Sequence, residues 1–421
     1  MTTAVKGSVL PRALAAMSPV LRDRAFPPAR AAGASRIGAE VELIAVLSES
    51  GSVCPLEAPG GGVATLPFLR RWGSSHAWAE MRSSKGVPSF CLPDGGRVTF
   101  EPGGQIEYGA PPSASLSVLV RQLHDVVRPL RTAARDVGIE LLSLGIDPHN
   151  TLAHAALQVG GERYESMAAY FATIGDAGAR MMRQSASIQV CLDTPHGLEE
   201  TWRTLNAAAP IVVAMFANSP RYGGEITPHQ SVRAEAWRAL DASRTGLAIC
   251  DAPGSDGYLD FALAARSIFH AGHPPFGELL AAGDVSIAEW DTHVSTLFPE
   301  VRPRGYLEVR SADAIDPDDY AAPLALLAGI AYHGPSLRIA SDLLGEPSEQ
   351  RLRTASRAGL RDATLARDAA ALADIAMAGC DALGPDFIAG EDLERAKDFF
   401  ARYTLRGRAP ADDARGEAPR P

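Results

Sequence analysis

The chain has 421 residues, of which 46% are hydrophobic and 21% are charged, and its formal net charge is −10. This composition is typical of a globular protein with one large domain or two to three average ones. The acidic balance argues against nucleic-acid binding, because no excess of lysine and arginine exists to neutralise phosphates. No apolar run approaches the length of a membrane span, and five widely spaced cysteines form no CxxC pair. We therefore expect a cytoplasmic protein that binds neither nucleic acid nor membrane.

Hydrophobic spacing along the chain alternates between strand and helix periods. A helix and loop are expected at about 10–30, where an organelle transit peptide is the alternative interpretation. The predicted strands are 36–47, 98–108, 185–192 and 306–310. The predicted helices are 116–137, 198–217, 232–242 and 323–343, with two or three more within 348–403. The sequence thus predicts a single domain over 1–405, helical from about 320, and a disordered tail at 406–421.

One face of each predicted strand carries a uniform set of polar side chains. Residues i and i+2 of a strand project from the same face, so Glu40 and Glu42 lie together, opposite Val41. In the strand at 98–108, Gln105 and Glu107 share a face, and Glu101 lies beyond a Pro-Gly-Gly kink. Around the strand at 185–192, the set on one face is Arg183, Ser185, Ser187, Gln189 and Cys191. In the strand at 306–310, it is Tyr306, Glu308 and Arg310. Each set alone is compatible with a solvated sheet face, and Glu308 with Arg310 is compatible with a surface ion pair.

Together, the strands bring five glutamates to one side of a sheet whose other side is apolar. Adjacent carboxylates repel each other unless cations or arginines compensate. Magnesium prefers oxygen ligands and leaves positions for water and substrate phosphates. An arginine beside such ions would add a forked donor for a phosphoryl group. The pattern therefore favours a magnesium-dependent site that handles phosphate, although no Gly-rich phosphate loop is present in the sequence.

Four segments carry a resemblance to a known family. GAEVEL (38–43), EPGGQIEYG (101–109), RMMRQSASIQVCLD (180–193) and TLFPEVRPRGYLEVRSADA (296–314) are similar to glutamate–cysteine ligases of the second, plant and bacterial type. The sequence most resembles the actinobacterial branch, which supplies γ-glutamylcysteine for ergothioneine synthesis. The resemblance implies a glutamine-synthetase-like α+β fold, in which a curved, mostly antiparallel sheet forms an active-site funnel with helices outside.

The resemblance also assigns roles to the polar residues. It implies two or three magnesium ions, with ligands that form two sets. These sets are Glu42, Glu101 and Glu107 for one ion, and Glu40, Gln189 and Glu308 for the ion nearest the ATP phosphates. Arg310 and Glu308 are the expected catalytic residues, and Arg310 would contact the γ-phosphate. The expected substrate contacts are Arg183, Arg233 and Tyr306, although Gln184 stands where plant relatives have the corresponding arginine.

The implied reaction joins the glutamate γ-carboxylate to the amine of cysteine. ATP phosphorylates the carboxylate, and the amine then displaces phosphate from γ-glutamyl phosphate. Glutamate, cysteine and ATP are the expected partners. Two alternatives remain open at this point: a ligase of the same fold that uses a different amine, and a catalytically inactive homologue that serves as a binding subunit.

Overall fold

The computed structural model describes residues 20–24, 35–82, 88–248 and 254–416. In these ranges the strands are β1 (Ile37–Leu47), β2 (Ala79–Arg82), β3 (Pro88–Cys91), β4 (Arg97–Phe100), β5 (Ile106–Gly109), β6 (Ile139–Leu142), β7 (Ser187–Leu192), β8 (Arg221–Tyr222), β9 (Glu225–Ile226), β10 (Thr245–Gly246), β11 (Phe298–Pro299), β12 (Val301–Pro303) and β13 (Leu307–Asp313). Much of the helix expected at about 10–30 lies outside the described residues, of which 20–24 are helical and form α1.

The remaining helices follow or interrupt the strands. They are α2 (Thr65–Ser75), α3 (Leu116–Asp136), α4 (Glu162–Ala172), α5 (Ala177–Gln184), α6 (Leu198–Met215), α7 (Val232–Arg238), α8 (Gly254–Ala264), α9 (Phe276–Ala282), α10 (Ile287–Val294), α11 (Ala321–Ala331), α12 (Gly334–Leu344), α13 (Glu349–Ala358), α14 (Ala363–Leu383), α15 (Gly390–Arg402) and α16 (Pro410–Ala414). Within the described part of the chain, no helix combines the length and apolar character that a membrane crossing requires.

Nine strands form one antiparallel sheet with β1 near its centre. The order is β12-β13-β7-β1-β5-β4-β3-β2, and β6 pairs with the second half of β1. The apolar side of β1, which includes Ala39, Val41 and Leu43, is buried in the main core. Helices α3, α6 and α11 contact this sheet. The side of the sheet opposite the apolar one carries the polar side chains. The expected α+β class with a mostly antiparallel sheet is confirmed.

The structure corrects two of the predicted strands. Residues 98–108 form the hairpin of β4 and β5 rather than a single strand, and 101–105 make the turn between them. The strand predicted from 185 begins at Ser187, because α5 extends to Gln184 and the Ser185 hydroxyl donates a hydrogen bond to the carbonyl of Met181. Arg183 therefore lies on a helix, and its placement on the polar face by strand alternation is wrong.

Two predictions about the C-terminal part are also wrong. The segment expected to form a single helix at 323–343 contains two helices, α11 and α12, because the chain turns at His333. Gly334, at the start of α12, packs closely against His196. The tail expected to be disordered from 406 is ordered as far as 416, and 417–421 lie outside the described residues. Small residues make this possible: Ala409 and Ala411 are buried against Ala217.

Candidate active site

A cavity of about 580 Å³ opens over the polar side of the sheet. Its walls have three chemically distinct parts. The acidic part includes Glu40, Glu42, Glu101 and Glu107, the basic part includes Arg302, Arg304 and Arg310, and the apolar part includes Met167, Met181, Met182, Trp237 and Phe298. The cavity therefore has room and suitable chemistry for a polar ligand that carries both charged and apolar groups.

Three carboxylates, which we call the acidic cluster, meet at the centre of the sheet. Glu42 on β1 lies directly opposite Glu107 on β5, and Glu101 reaches them from the turn of the β4–β5 hairpin. One oxygen from each of Glu42, Glu101 and Glu107 lies within 4.8 Å of the others. The sequence prediction that these three residues come together is thus correct in its geometry.

Burial and mutual repulsion act on the protonation of this cluster. Burial, followed by the charge of Glu101, raises the pKa of Glu42 to about 7. The same two causes raise the pKa of Glu107 well above its ordinary value. Carboxylates with raised pKa values bind protons when no other positive charge is present, and a divalent cation would take the place of those protons. An all-oxygen donor set of this kind fits magnesium.

Gln189 connects the acidic cluster to the basic part of the cavity. It lies opposite Glu40 in the pairing of β7 with β1. Its Nε2 donates to Glu42 Oε1 at 2.9 Å, and its Oε1 accepts from Arg310 Nη1 at 2.6 Å. Burial, followed by the charge of Glu308, raises the pKa of Glu40. The structure thus brings Glu40, Gln189 and Arg310 together on one face, as expected.

Glu308 lies beneath an arginine cluster formed by Arg302, Arg304 and Arg310. Its side chain has no solvent exposure. One carboxylate oxygen accepts from Arg302 Nη2 at 2.6 Å and also from Arg310, and the other accepts from Arg304 Nη1 at 3.5 Å. Burial opposes ionisation, but Arg302 and then Arg310 lower the pKa of Glu308 to about 2. Glu308 is therefore ionised, and in this structure arginines occupy both of its oxygens.

Sequence analysis missed Arg302 and Arg304, although a signal was present. In the segment VRPRGYLEVR, side chains project from one face at every second position, here 302, 304, 306, 308 and 310, if the segment is interpreted as a strand. The prediction began the strand at 306, so it did not count the two preceding arginines. In the structure β12 turns back onto β13, and Arg302 lies directly opposite Glu308.

The three expected substrate contacts are not among the side chains that line the cavity. Arg183 donates from α5 to the carbonyl of Ala155 at 3.1 Å. Arg233 is buried, and its Nη2 donates to the carbonyl of Arg310 at 2.7 Å. Tyr306 lies in the turn between β12 and β13. Arg233 therefore lies behind the site and holds the strand that carries Arg310.

The apolar wall comes mainly from α4, α5 and α7, of which sequence analysis did not predict α4 and α5. Met167 on α4, Met181 and Met182 on α5, and Trp237 on α7 pack with Phe298 in a cluster separate from the main core. The same side chains also line the cavity.

Comparisons with known proteins show the family of the chain. The model of the family described as "Glutamate-cysteine ligase family 2 (GCS2)" matches residues 36–413. A glutamate–cysteine ligase EgtA of Mycobacterium tuberculosis is 31% identical over 349 residues, which cover 76% of this chain and 77% of the relative. The chloroplastic glutamate–cysteine ligase B of Oryza sativa is 29% identical over 269 residues, which cover 59% of this chain and 54% of the relative.

A solved structure shares the fold. The crystal structure of a glutamate–cysteine ligase from Francisella tularensis in complex with AMP superposes with a TM-score of 0.53 at 13% identity, covering 91% of this chain and 84% of that one. The family match and the relatives identify an enzyme of the ligase type. The chain belongs to glutamate–cysteine ligase family 2.

Proposed function

We propose that this enzyme uses ATP and magnesium to join the γ-carboxylate of glutamate to the amine of cysteine, giving γ-glutamylcysteine, ADP and phosphate. A carboxylate is a poor acyl donor, because its oxygen is a poor leaving group. Attack of the γ-carboxylate on the γ-phosphate of ATP gives γ-glutamyl phosphate, from which the amine can displace phosphate. Membership of this family and the similarity to known glutamate–cysteine ligases support this reaction.

One observation carries the proposal: acidic and arginine clusters meet in a single cavity, joined by Gln189. We assign Glu42, Glu101 and Glu107 to one magnesium ion, and Glu40, Gln189 and Glu308 to a second, for which Arg302, Arg304 and Arg310 would have to release the oxygens of Gln189 and Glu308. Bound magnesium would neutralise phosphate charge during transfer. Arg302 and Arg310 both have a buried Nε without a hydrogen-bond partner among the described residues. These guanidinium groups provide fixed positive charge for the transferred phosphoryl group.

The apolar wall favours an acceptor that carries a small, weakly polar side chain beside its amine. Met181, Met182 and Trp237 give it soft, polarisable surfaces. This supports cysteine over ammonia, which would gain nothing from such a wall. The similarity to EgtA proteins agrees with the branch expected from the sequence, and we propose that the product supplies ergothioneine synthesis.

The test is ATP-dependent phosphate release with magnesium and glutamate, in which cysteine is compared with a panel of other amines and the products are weighed by mass spectrometry. We expect cysteine to stimulate release most strongly and to give the mass of γ-glutamylcysteine. A stronger response to another amine would establish a different acceptor for the same chemistry. If no amine stimulates release and ATP does not bind, the chain is an inactive homologue.

A further inference from the structure

Residues 101–105, the metal-loop segment, connect β4 to β5 and carry Glu101 into the acidic cluster. The turn is closed by two backbone hydrogen bonds, from Glu101 N to Gln105 O at 2.9 Å and from Gly104 N to Glu101 O at 2.8 Å. Its middle residues are Pro102, Gly103 and Gly104, and the two glycines offer little intrinsic stiffness. The Glu101 carboxylate also lies within 4.8 Å of the carboxylates of Glu42 and Glu107, which repel it when all three are ionised. Contacts from outside the turn must therefore hold it in place.

Gln158 provides those contacts from a distant part of the chain. Its Nε2 donates to the carbonyl of Gly103 at 2.7 Å and to that of Cys54 at 3.3 Å, and its Oε1 accepts from the amide of Leu56. Its own amide donates to the carbonyl of Pro102 at 2.8 Å. One residue thus ties the metal-loop segment to the chain at 54–56. Gln158 itself is not among the side chains that line the cavity.

The fit between Gln158 and the turn depends on glycine. Gly104 has φ +86°, and a Cβ placed there would lie 2.9 Å from Gln158 Nε2. The side-chain amide therefore packs directly against the turn. Within the segment, Gln105 accepts from the amide of Gly103 at 3.0 Å and donates to the carbonyl of Ser185 at 2.9 Å. Two glutamine amides therefore connect the metal-loop segment to other parts of the chain.

We propose that Gln158 is a positioning residue for divalent-cation binding: it holds the metal-loop segment so that the Glu101 carboxylate stays within reach of Glu42 and Glu107. This inference rests on the proposed function, in which those three carboxylates bind a cation. Without the clamp, the glycines of the turn allow Glu101 to move outward, and the cation loses a pre-positioned ligand. Residues that orient metal ligands affect metal affinity although they do not touch the ion.

The experiment measures Mn²⁺ binding to the full chain by the loss of free-ion EPR signal. Gln158→Met keeps the length of the side chain and removes both its donor and its acceptor. Gln122→Met is the matched control, because Gln122 is also partly buried but lies on α3, away from the cavity. Glu101→Gln removes the ligand itself. We expect Gln158→Met to weaken Mn²⁺ binding about tenfold, Gln122→Met to bind as the wild type does, and the KM for glutamate to stay unchanged in Gln158→Met.

The outcomes separate the two proposals. If Glu101→Gln weakens Mn²⁺ binding but Gln158→Met does not, the positioning role is wrong and the metal site stands. If Glu101→Gln binds Mn²⁺ as tightly as the wild type, the metal role of Glu101 fails and the positioning role fails with it. Should Gln158→Met reduce the yield of folded protein, Gln158→Glu gives the same comparison. It keeps an acceptor for Leu56 N and replaces the donor to Gly103 and Cys54 with a carboxylate oxygen that repels both carbonyls, so unchanged Mn²⁺ affinity in that variant also overturns the positioning role.

Discussion

Glu42 and Glu107 face each other directly across the antiparallel pair of β1 and β5. Like charges in directly opposed positions destabilise a sheet. Because Glu101 lies beside this pair, repulsion among the carboxylates lowers the folding stability of the protein when no cation is bound. This relationship makes protein stability a reporter of metal binding.

The first prediction concerns pH and magnesium. The pKa of Glu42 rises from 4.5 to about 7 on folding, so the folded chain keeps a proton that the unfolded chain has released. This contribution to stability is fully present below pH 4.5 and is lost as the pH rises through 7. Magnesium replaces the proton, so it should raise Tm more at pH 8 than at pH 5. Thermal unfolding in EDTA and in magnesium at both pH values measures the difference.

Glu42→Gln is the control for that experiment. The variant removes one of the repelling charges, so its Tm in EDTA at pH 8 should exceed that of the wild type. Its magnesium-dependent gain in Tm should be smaller. Equal magnesium shifts at pH 5 and pH 8 in the wild type would contradict the prediction.

The second prediction concerns the arginine cluster. Arg310→Lys should lower kcat by about 100-fold to 1000-fold, because one ammonium cannot replace a guanidinium that contacts Gln189 and Glu308 and that we propose to stabilise the transferred phosphoryl group. Arg304→Lys is the matched control: Arg304 is half-exposed and its contact with Glu308 is 3.5 Å long. It should retain most of its activity. Steady-state kinetics measure kcat for both variants. Near-normal turnover of Arg310→Lys would show that Arg310 has no catalytic role.

The third prediction concerns Gly103 in the metal-loop segment. A Cβ at this position would lie 2.1 Å from the carbonyl oxygen of Arg183, which is backbone and cannot rotate away. Gly103→Ala should therefore displace Glu101 and lower both Tm and magnesium-dependent activity. Gly390→Ala is the control, since nothing lies within 4 Å of its added Cβ. A Gly103→Ala enzyme with unchanged Tm and magnesium dependence would show that the segment has room to move.

The fourth prediction concerns acid sensitivity at His293. Burial lowers the pKa of this histidine from 6.5 to about 3, and its Nε2 donates to the carbonyl of Ala262 at 2.8 Å. The stability it contributes is present above pH 6.5 and is lost as the pH falls toward 3, at about 1.4 kcal/mol per pH unit. Chemical denaturation between pH 6.5 and 5 should show His293→Gln losing less stability than the wild type. The exposed His154→Gln should behave like the wild type, and parallel curves for all three proteins would refute the assignment.

The fifth prediction concerns the ion pair of Arg238 and Glu300 behind β13. Arg238 Nη2 lies 2.6 Å from Glu300 Oε1, and both side chains are almost fully buried. The carbonyl of Glu300 also accepts from the amide of Arg310 at 2.9 Å. Arg238→Met leaves the buried Glu300 carboxylate without its cationic partner, with the Ser311 hydroxyl still donating to it at 2.6 Å, and should cost about 3–5 kcal/mol of stability. Urea unfolding measures this cost. The exposed Arg128→Met should cost under about 1 kcal/mol, and a similarly small effect at Arg238 would show that Glu300 is solvated.

Strand alternation identified most of the site because it is a local property. Glu40 and Glu42 share a face of β1 whatever else the chain does, and an apolar opposite face shows which side is buried. Glu308 and Arg310 follow from the same rule on β13. Alternation failed at Arg183, because a short helix and a strand cannot be separated by periodicity where the apolar run is brief.

The sequence by itself carried the family resemblance, which implied the class of fold, and it determined the polar side of each strand, because side-chain alternation depends on residue spacing along a single element. Only the tertiary structure decided which strands are neighbours, and therefore that Glu42 meets Glu107 and that Arg302 covers Glu308. In the tertiary structure Arg233 lies behind the cavity, where it donates to the carbonyl of Arg310. Gln158 contacts a turn that lies more than fifty residues earlier in the chain. Such contacts depend on the packing of segments distant in sequence, which no local periodicity records.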